Sequence, residues 1–383
     1  MATRRIAYLH YGIFEGGDSN GWYRTFELAK GLAALGWEVD LLTTGGRSNF
    51  GVLTEKDIDG VNVKIFGCVL PERFQRGGFS LSTLIPKMRY VNRASQYDVI
   101  LADNIHRPTC LLPALTLRIT TKIPVISEWW ELFGPRGIYS DLGWSHRLTV
   151  GLYDLLLEKT VRKRCDGIVA ISSFLAREAK KLGFHERAIE VVHAGISESI
   201  LGKPYQTLSQ CELRIGLIGF NRDELMNNSI IFEAALELYE AGKDITIVCS
   251  GKKSLQSIIP KKYEEITSLL GWVGVDEFVD EFNSCHLLAL LQEKKIRNEA
   301  RFPNKFGDYM GCSGIVITNA VGDIVEYVND YPQKVVFVET KDDVKKVCLR
   351  IFAEGMPHHP PEIRQSNSWL CRAKQLDRFI HRF

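Results

Sequence analysis

The sequence lacks several features that would assign it to a specialised class of protein. Its nine cysteines include no CxxC pair and no cluster with histidine, which argues against the common zinc-binding patterns. Several cysteines lie within apolar runs, so we expect buried, reduced thiols in a cytosolic protein. No apolar run reaches the roughly 18 residues that a transmembrane helix needs. Met1 to Arg5 lead directly into a predicted strand, so no signal peptide is expected.

Neither positive nor negative charge predominates in the chain. The net charge of +2 argues against a nucleic-acid-binding protein. Residues 1–170 carry a positive excess, which favours contact with an anionic membrane surface, although scattered solvated charges explain the same excess equally well. The sequence contains no low-complexity tract, no short repeat and no cluster of metal-ligand residues. No metal ion is therefore expected.

The length and the order of the predicted elements indicate an α/β protein of two domains. A chain of 383 residues exceeds one ordinary core, and two domains of roughly 150–200 residues are expected. Arg5 to His10 form the first predicted strand, and a glycine-rich loop and an amphipathic helix follow. The same alternation restarts at Leu213, after the polar segment Ser197 to Gln210. The predicted boundaries are an N-terminal domain over 1–196, a linker over 197–211, a second domain over 212–365 and a terminal helix over 366–383.

One stretch, Arg301 to Val328, combines the features of a nucleotide-binding turn. Pro303 suits the first turn of a helix, and Asn304 and Asp308 place polar groups in its opening turns. Lys305 adds a cation near the helix N-terminus, whose unpaired N–H groups attract phosphate.

The same stretch then predicts a strand and a second helix. Ile315 to Ile317 form a short apolar run typical of a buried parallel strand. Gly322 opens the next turn, and Glu326 lies just inside the following helix. This order directs two helix N-termini toward one crevice, which is how a doubly wound sheet holds a nucleotide. An ordinary βα unit with a capped helix is the alternative interpretation.

A second stretch places two carboxylates beside two tryptophans. Glu128, Trp129, Trp130 and Glu131 follow directly after the predicted strand Ile123 to Ser127. Aromatic faces stack on sugar rings, and carboxylates bind hydroxyl groups or accept protons. A helix N-terminus with stabilising acidic residues and buried tryptophans explains the same residues equally well.

The sequence PNKFGDYMGCSGIV, from Pro303 to Val316, resembles the donor-binding region of family 4 glycosyltransferases. It matches a branch of that family that reads Pro-x-Lys-x-x-Glu-Tyr-Met-Ala-x-Gly-x-Pro-Val, with Asp308 at the Glu position. VGDIVEYV, from Val321 to Val328, resembles the family's Gly-Gly-x-x-Glu-x-Val, and more degenerate resemblances cover nearly the whole chain. The resemblance implies the GT-B fold, in which two Rossmann-like α/β domains face each other across a cleft and the terminal helix returns to the first domain.

The resemblance also implies roles for individual residues. The Asp308 carboxylate is expected to accept hydrogen bonds from the ribose hydroxyls of a donor, and Gly322 and the amides after it are expected to meet phosphate. Glu131 takes the position of an acidic residue of the first domain and is assigned a catalytic role. Glu128 and Trp129 are expected to contact the acceptor or a sugar ring. The other expected donor-binding residues are Gly16, Gly17, Phe302, Pro303, Asn304 and Glu326.

The chain departs from the family at its catalytic cations. The family's Arg and Lys after the first strand of the second domain correspond here to Phe220 and Asn227. We predict that Arg222 and Lys305 are catalytic residues that supply the missing positive charge. Further candidates for this charge are Arg301 and Lys294.

The preferred interpretation is a metal-independent hexosyltransferase that retains the anomeric configuration. It would move a sugar from a UDP or GDP donor, with no cofactor, to a glycan or lipid-linked acceptor in cell-envelope polysaccharide or glycoconjugate assembly. The first Glu of the family's paired-Glu motif corresponds to Ala300, with Glu299 one residue away, which leaves the donor sugar open. We expect a cytoplasmic protein with peripheral contact at the inner face of the membrane and no nucleic-acid partner.

Two other functions are compatible with the sequence. The missing Arg/Lys pair favours a non-catalytic GT-B protein that binds nucleotide or glycan. A sugar-nucleotide epimerase is a third interpretation, and Glu131 is its only candidate acid or base.

Overall fold

Two compact units make up the chain in the computed structural model. The structure describes residues 4–14, 20–47, 49–69, 77–93, 97–134, 136–220, 222–251, 253–271 and 275–383. Unit 1 consists of Met1–Ala194, Glu299–Phe302 and Trp369–Phe383, and unit 2 consists of Gly195–Asn298 and Pro303–Ser368. The second unit therefore begins just before the predicted linker, and the last helix groups with unit 1.

Unit 1 contains one predominantly parallel sheet of eight strands. The strands are β1 (Arg5–Ile13), β2 (Glu38–Arg47), β3 (Leu53–Ile58), β4 (Val61–Cys68), β5 (Val99–Asp103), β6 (Val125–Trp129), β7 (Gly167–Ala170) and β8 (Ile189–Val191). Their order is β3-β4-β2-β1-β5-β6-β7-β8, and only the edge pair of β3 and β4 is antiparallel. Every residue of β5 and β6 is buried, as expected for central parallel strands that helices cover on both faces.

The helices of unit 1 connect these strands and cover the sheet. They are α1 (Asn20–Ala34), α2 (Leu81–Arg93), α3 (Pro108–Thr121), α4 (Ile138–Asp141), α5 (Trp144–His146), a π-helical turn (Arg147–Gly151), α6 (Leu152–Arg162), α7 (Ser173–Lys181) and the 3₁₀ turn Glu186–Ala188.

The terminal helix of the chain, α17 (Trp369–Ile380), packs against α1. A Cβ atom at Gly31 would lie 2.4 Å from the Cβ of Ala373, so the two helices approach at a position that only glycine permits without movement. The indole Nε1 of Trp37 donates a hydrogen bond to Asp377 Oδ1 at 2.7 Å. These contacts fix the end of the chain on unit 1.

Unit 2 contains a fully parallel sheet of six strands. The strands are β9 (Glu212–Phe220), β10 (Asp244–Gly251), β11 (Thr267–Gly271), β12 (Leu287–Leu290), β13 (Ile315–Thr318) and β14 (Val335–Phe337). Their order is β11-β10-β9-β12-β13-β14. The two units thus carry two separate parallel-strand sheets, and the predicted α/β fold class with two Rossmann-like domains is confirmed.

The helices of unit 2 surround an apolar core that includes Leu213, Phe232 and Ile317. They are α8 (Glu198–Leu201), α9 (Arg222–Asn227), α10 (Ser229–Glu240), α11 (Val275–Asn283), α12 (Ile296–Glu299, whose last residue groups with unit 1), α13 (Asn304–Gly311), α14 (Ile324–Asp330), α15 (Lys341–Glu354) and α16 (Glu362–Ser366), with 3₁₀ turns at Lys253–Ile258 and Lys261–Ile266.

The nine cysteines are free thiols, and most of them are buried. Cys211 is exposed and Cys371 is half-buried, so the expectation of buried thiols holds for the other positions only. Within the part of the chain that the structure describes, no helix combines the length and apolar character that a membrane crossing requires.

Candidate functional site

The sheet of unit 2 reverses its strand order between β9 and β12. The chain runs from β9 to β10 on one side and later returns to β12 on the other side. In open parallel sheets, ligands bind beyond the carboxyl ends of the strands at such a switch point. Gly219, near the end of β9, has a φ of +67°, a left-handed backbone conformation that glycine adopts readily.

Helix α13 begins on this carboxyl side because it lies between the parallel strands β12 and β13. Pro303 occupies the N-cap position rather than the first turn, and Asn304 and Lys305 are the first two helical residues. The Tyr309 hydroxyl accepts a hydrogen bond from the backbone N–H of Ile218 at 2.8 Å, which fixes the helix against β9. Asn304 and Lys305 are half-buried in this first turn, and their contact with a donor stays a prediction.

The predicted ribose ligand, Asp308, lies one turn further along α13. Its Oδ1 accepts a hydrogen bond from the backbone N–H of Ser197 at 3.3 Å, and the side chain is half-buried. The carboxylate is thus oriented in part by the chain segment that leads into α8. Its role toward a ribose stays a prediction.

The turn after β13 has the backbone geometry that its glycine predicted. Gly322 has a φ of +62°. The buried Asp323 occupies the N-cap position of α14, but its side chain makes no capping hydrogen bond. Glu326 lies in the first turn of α14 and is exposed. The backbone can approach a ligand closely at Gly322, because glycine has no side chain.

Three predicted residues are described incompletely or not at all. Gly16 and Gly17 lie outside the described residues. Arg222 is the first residue of α9, shortly after the end of β9, and only its backbone is described.

The tryptophan predicted to stack on a sugar is not available for that contact. Trp129 is fully buried in β6, its Nε1 donates to Glu158 Oε1 at 3.0 Å, and the Arg162 guanidinium lies 4.6 Å from the ring centroid. The alternative interpretation of a buried tryptophan describes its placement better. The apolar strand before it carries the ring into the core, because consecutive residues of a central strand are covered on both faces.

Glu128 is also buried, and its partner is a residue that the sequence analysis did not select. Its Oε2 accepts a hydrogen bond from Arg24 Nε at 3.0 Å, and Arg24 also donates to the carbonyl oxygens of Val192 and His193. Burial raises the pKa of Glu128 to about 8. Burial and the like charge of Arg372 lower the pKa of Arg24 to about 9. The signal that could have identified Arg24 from the sequence is a charged residue within the apolar helical pattern of α1.

Glu131 and Arg301, two predicted charged candidates, are paired with each other. Arg301 donates from Nε to Glu131 Oε1 at 2.5 Å and from Nη2 to Oε2, which is a bidentate ion pair. Nearby, Phe302 is buried and stacks on His193 with ring centroids 4.2 Å apart. The Ser172 hydroxyl donates to the Ala300 carbonyl at 2.7 Å. These contacts place residues 299–302 on unit 1, where the Phe302 side chain packs against His193 and helps to hold this segment.

A histidine and an aspartate that the sequence analysis missed meet at the switch point of unit 1. His10, near the end of β1, donates from Nδ1 to Asp103, the last residue of β5. Asp103 also accepts from the Tyr11 N–H at 2.9 Å and from the Thr25 hydroxyl at 2.8 Å. His10 Nε2 has no hydrogen-bond partner among the described residues, although the ring is fully buried. An imidazole held in this tautomer offers Nε2 as a proton acceptor.

Among the described residues, no group of three or more His, Cys, Asp or Glu side chains has the arrangement of a metal site. A cavity of about 400 Å³ opens in unit 2 beside Tyr331, Lys334 and His359. Lys334 directly precedes β14, so this cavity lies at the amino end of that strand rather than at the carboxyl edge described above.

Comparison with known proteins agrees with the predicted resemblance. Residues 23–199 match the family model described as Glycosyltransferase Family 4. The comparison with curated proteins gives no match.

Several solved structures have the same fold over the whole chain. Sucrose-phosphate synthase from Thermosynechococcus elongatus has a TM-score of 0.67 and 14% identity, over 99% of this chain and 98% of that chain. A glycosyltransferase from Rickettsia africae has a TM-score of 0.65 and 13% identity, over 100% and 99% of the two chains. Anabaena HepE in complex with UDP has a TM-score of 0.63 and 12% identity, over 99% and 100%.

At these identities the likeness to solved structures establishes the fold alone, and the family model supplies the sequence relationship. The predicted resemblance to family 4 glycosyltransferases is confirmed by the match over residues 23–199, which does not include the motifs at residues 303–328. Residues 23–199 are therefore similar in sequence to family 4 glycosyltransferases, and the chain as a whole has the GT-B fold of its structural neighbours.

Proposed function

We propose that the protein transfers a hexose from a nucleoside diphosphate sugar to a glycan or lipid-linked acceptor. The family match and the fold support glycosyl transfer in general. One observation carries the finer proposal: α13 and the Gly322 turn both begin at the carboxyl edge of the unit 2 sheet, beside its switch point. HepE, a similar structure, was determined with UDP and with UDP-glucose, which supports a uridine nucleotide as the donor.

In the proposed reaction, the bond between the anomeric carbon and the diphosphate oxygen breaks as the acceptor hydroxyl attacks that carbon. The hydroxyl proton leaves with the diphosphate, and the anomeric configuration is retained without a metal ion. The departing diphosphate gains negative charge, so a cation that meets it only in the transition state would raise turnover. Lys305, in the first turn of α13, and Arg222, at the start of α9, are the proposed cations.

The test replaces these two cations and measures transfer and donor hydrolysis with UDP-glucose and GDP-mannose. Removing a transition-state electrostatic partner typically lowers turnover by about 100–1,000-fold. We expect at least one of Lys305→Ala and Arg222→Ala to lose that much activity with an unchanged melting temperature. Lys346→Ala, an exposed lysine of α15, is the matched control. Parent-like turnover in both single variants and in the double variant would refute the assignment.

Donor binding is tested separately at Asp308. A hydrogen bond to a charged group contributes about 1.5–3 kcal/mol, so Asp308→Asn should weaken nucleotide binding by roughly one to two orders of magnitude. Calorimetry with UDP and with GDP measures this change and identifies the nucleotide. Equal affinity of the parent and the variant would remove Asp308 from the proposed ribose site.

A non-catalytic protein that binds nucleotide or glycan is the second candidate function. Phe220 and Asn227 stand where the family has its Arg and Lys, and the further candidate Arg301 is already paired with Glu131. Nucleotide binding without release of nucleoside diphosphate from any sugar donor would favour this candidate.

The proposed setting is the assembly of cell-envelope glycans in the cytoplasm, at the inner face of the membrane. One similar structure, WaaB, is a lipopolysaccharide outer core galactosyltransferase, with a TM-score of 0.61. This likeness supports a lipid-linked acceptor as the class to test first, and such an acceptor would bring the protein to a membrane surface.

A further inference from the structure

The helical run from Trp144 to Arg162 in unit 1 buries charged residues and exposes apolar ones, which is the opposite of an ordinary surface helix. It joins α5, the π-helical turn and α6 without a break. Its buried side carries Asp154, Glu158 and Arg162, each at most 1% exposed. Its outward side carries large apolar residues with the following exposed fractions: Trp144 78%, Leu148 65%, Leu152 44%, Leu155 42% and Leu156 58%.

Buried hydrogen bonds hold the run in this orientation. Glu158 accepts from the N–H groups of Phe133 at 3.0 Å and Gly134 at 2.8 Å, and from the Trp129 indole. Asp154 accepts from Arg107 Nη2 at 3.0 Å. Turning the leucines inward would break these bonds and leave buried charges without partners, which is strongly unfavourable. The outward apolar face is therefore imposed by the interior of unit 1.

The outward face is large for a surface in contact with water alone. Soluble proteins tolerate single exposed apolar residues, but contiguous patches mark binding sites. The spacing of Trp144, Leu148, Leu152 and Leu155 places them along one side of the run, since residues three and four apart are neighbours on a helix. A tryptophan at one end suits a boundary between water and lipid.

Cations border the apolar face. Arg147, Lys159, Lys163 and Arg164 are exposed on or directly after the run, and Asp141 is the nearby exposed acidic residue. Lys159 forms an ion pair with Glu178, which offsets its charge. The positive charge beside the apolar face therefore comes mainly from Arg147, Lys163 and Arg164. Two copies of this surface would bring like charges together, whereas anionic lipid headgroups complement them.

We propose that this outward face of residues 144–164 docks on a bilayer that contains anionic phospholipids. Trp144 and the leucines enter the boundary between the headgroups and the acyl chains, and the flanking cations contact the headgroup phosphates. The inference rests on the membrane contact in the proposed function and names the surface that makes it. It does not depend on the identity of the donor.

The test is co-sedimentation of the full chain with vesicles of equal parts phosphatidylcholine and phosphatidylglycerol, and with pure phosphatidylcholine. We expect binding to the anionic vesicles that weakens with added salt, because screening reduces the attraction. The double variant Leu148→Gln/Leu156→Gln should bind about 100-fold more weakly, from roughly tenfold per leucine. Lys163→Gln/Arg164→Gln should bind the anionic vesicles more weakly than the parent does, and should bind the phosphatidylcholine vesicles as the parent does.

Leu349→Gln/Met226→Gln, which replaces two exposed apolar residues of unit 2, is the matched control and should bind as the parent does. Melting temperatures check folding, and all substituted side chains are exposed. Parent-like binding by the leucine variant would overturn the proposal. A parent that is dimeric in sedimentation velocity, becomes monomeric in the leucine variant and binds no vesicles would also overturn it.

Donor hydrolysis without vesicles separates this inference from the proposed function. Hydrolysis that persists in the leucine variant while vesicle binding is lost supports both proposals. Vesicle binding that follows the expected pattern in a parent without any hydrolysis would refute the transferase alone.

Discussion

The interiors of the two units differ in how they use charge. Unit 1 buries ionisable residues at the ends of its central strands and on the helices beside them, and the hydrogen-bonded pairs include Arg24 with Glu128 and His10 with Asp103. Unit 2 has the same parallel strand plan, but its described buried Asp, Glu, Lys and Arg residues are Asp323, Lys334 and Arg364. The same architecture can thus contain many buried hydrogen-bonded ionisable groups in one unit and mainly apolar packing in the other.

This difference shows what each interior depends on. A buried ion pair adds little net stability, but the loss of one partner leaves an isolated charge in the core. Apolar packing responds instead to changes of volume. Substitutions that remove a charge should therefore destabilise unit 1 more than unit 2.

The largest effect is expected at Asp103 in unit 1. Asp103→Ala removes the carboxylate that accepts from His10, Tyr11 and Thr25, and should lower the free energy of unfolding by about 3–5 kcal/mol. Urea denaturation measures the change. Glu186→Ala, which removes the exposed pair with Lys180, is the control and should leave the stability nearly unchanged. Similar effects of the two variants would contradict the contrast between the units.

The corresponding charge in unit 2 should matter less. Lys334 Nζ donates to the carbonyl oxygens of Cys312 and Gly314, and burial lowers its pKa to about 7. Lys334→Met keeps an unbranched apolar chain and leaves the two carbonyls without this donor, so we expect a loss of about 1–3 kcal/mol. Lys346→Met, at an exposed position, is the control. A loss as large as that of Asp103→Ala would remove the distinction.

A volume change in unit 1 tests packing without changing charge. Gly31→Ala would bring two Cβ atoms within 2.4 Å where α1 meets α17, and overpacking typically costs about 1–3 kcal/mol. The higher helix propensity of alanine offsets up to about 1 kcal/mol of this loss. Thermal unfolding should show a lower melting temperature. A higher melting temperature would mean that α1 and α17 can move apart without a loss of stability.

A further expected effect is a pH dependence that arises from Glu128. Its pKa is raised from 4.5 to about 8, so between these values the folded protein holds a proton that the unfolded chain has lost. The stability from this group is therefore complete below the unfolded pKa and is lost as the pH rises through the folded value. The parent should lose stability between about pH 5 and pH 8, and Glu128→Gln should lose less.

Urea denaturation at both pH values checks this expectation, with Glu55→Gln as the exposed control. Equal pH dependence in the parent and in Glu128→Gln would show that the ion pair with Arg24 keeps the carboxylate charged throughout.

The backbone of the candidate donor region was easier to predict from the sequence than the side-chain surroundings of the candidate acceptor region. The left-handed Gly322 and the start of α13 near Pro303 follow from local backbone preferences, so a short stretch of sequence contains their signal. Glu128 to Glu131 were harder to interpret, because the same composition fits a sugar site and a buried strand end. Their partners Arg24 and Arg301 lie more than 100 residues away in the chain.

The sequence by itself determined the fold class, the GT-B resemblance and the alternation of strands and helices in both halves. These properties depend on apolar periodicity and on glycines at turns, which act over a few residues. Only the tertiary structure decided that Trp129 is buried, that Glu131 pairs with Arg301, and that the leucines of α6 face outward. Each of these outcomes depends on which distant charges meet in the interior, and a helix with one charged side and one apolar side does not specify which side that interior will accept.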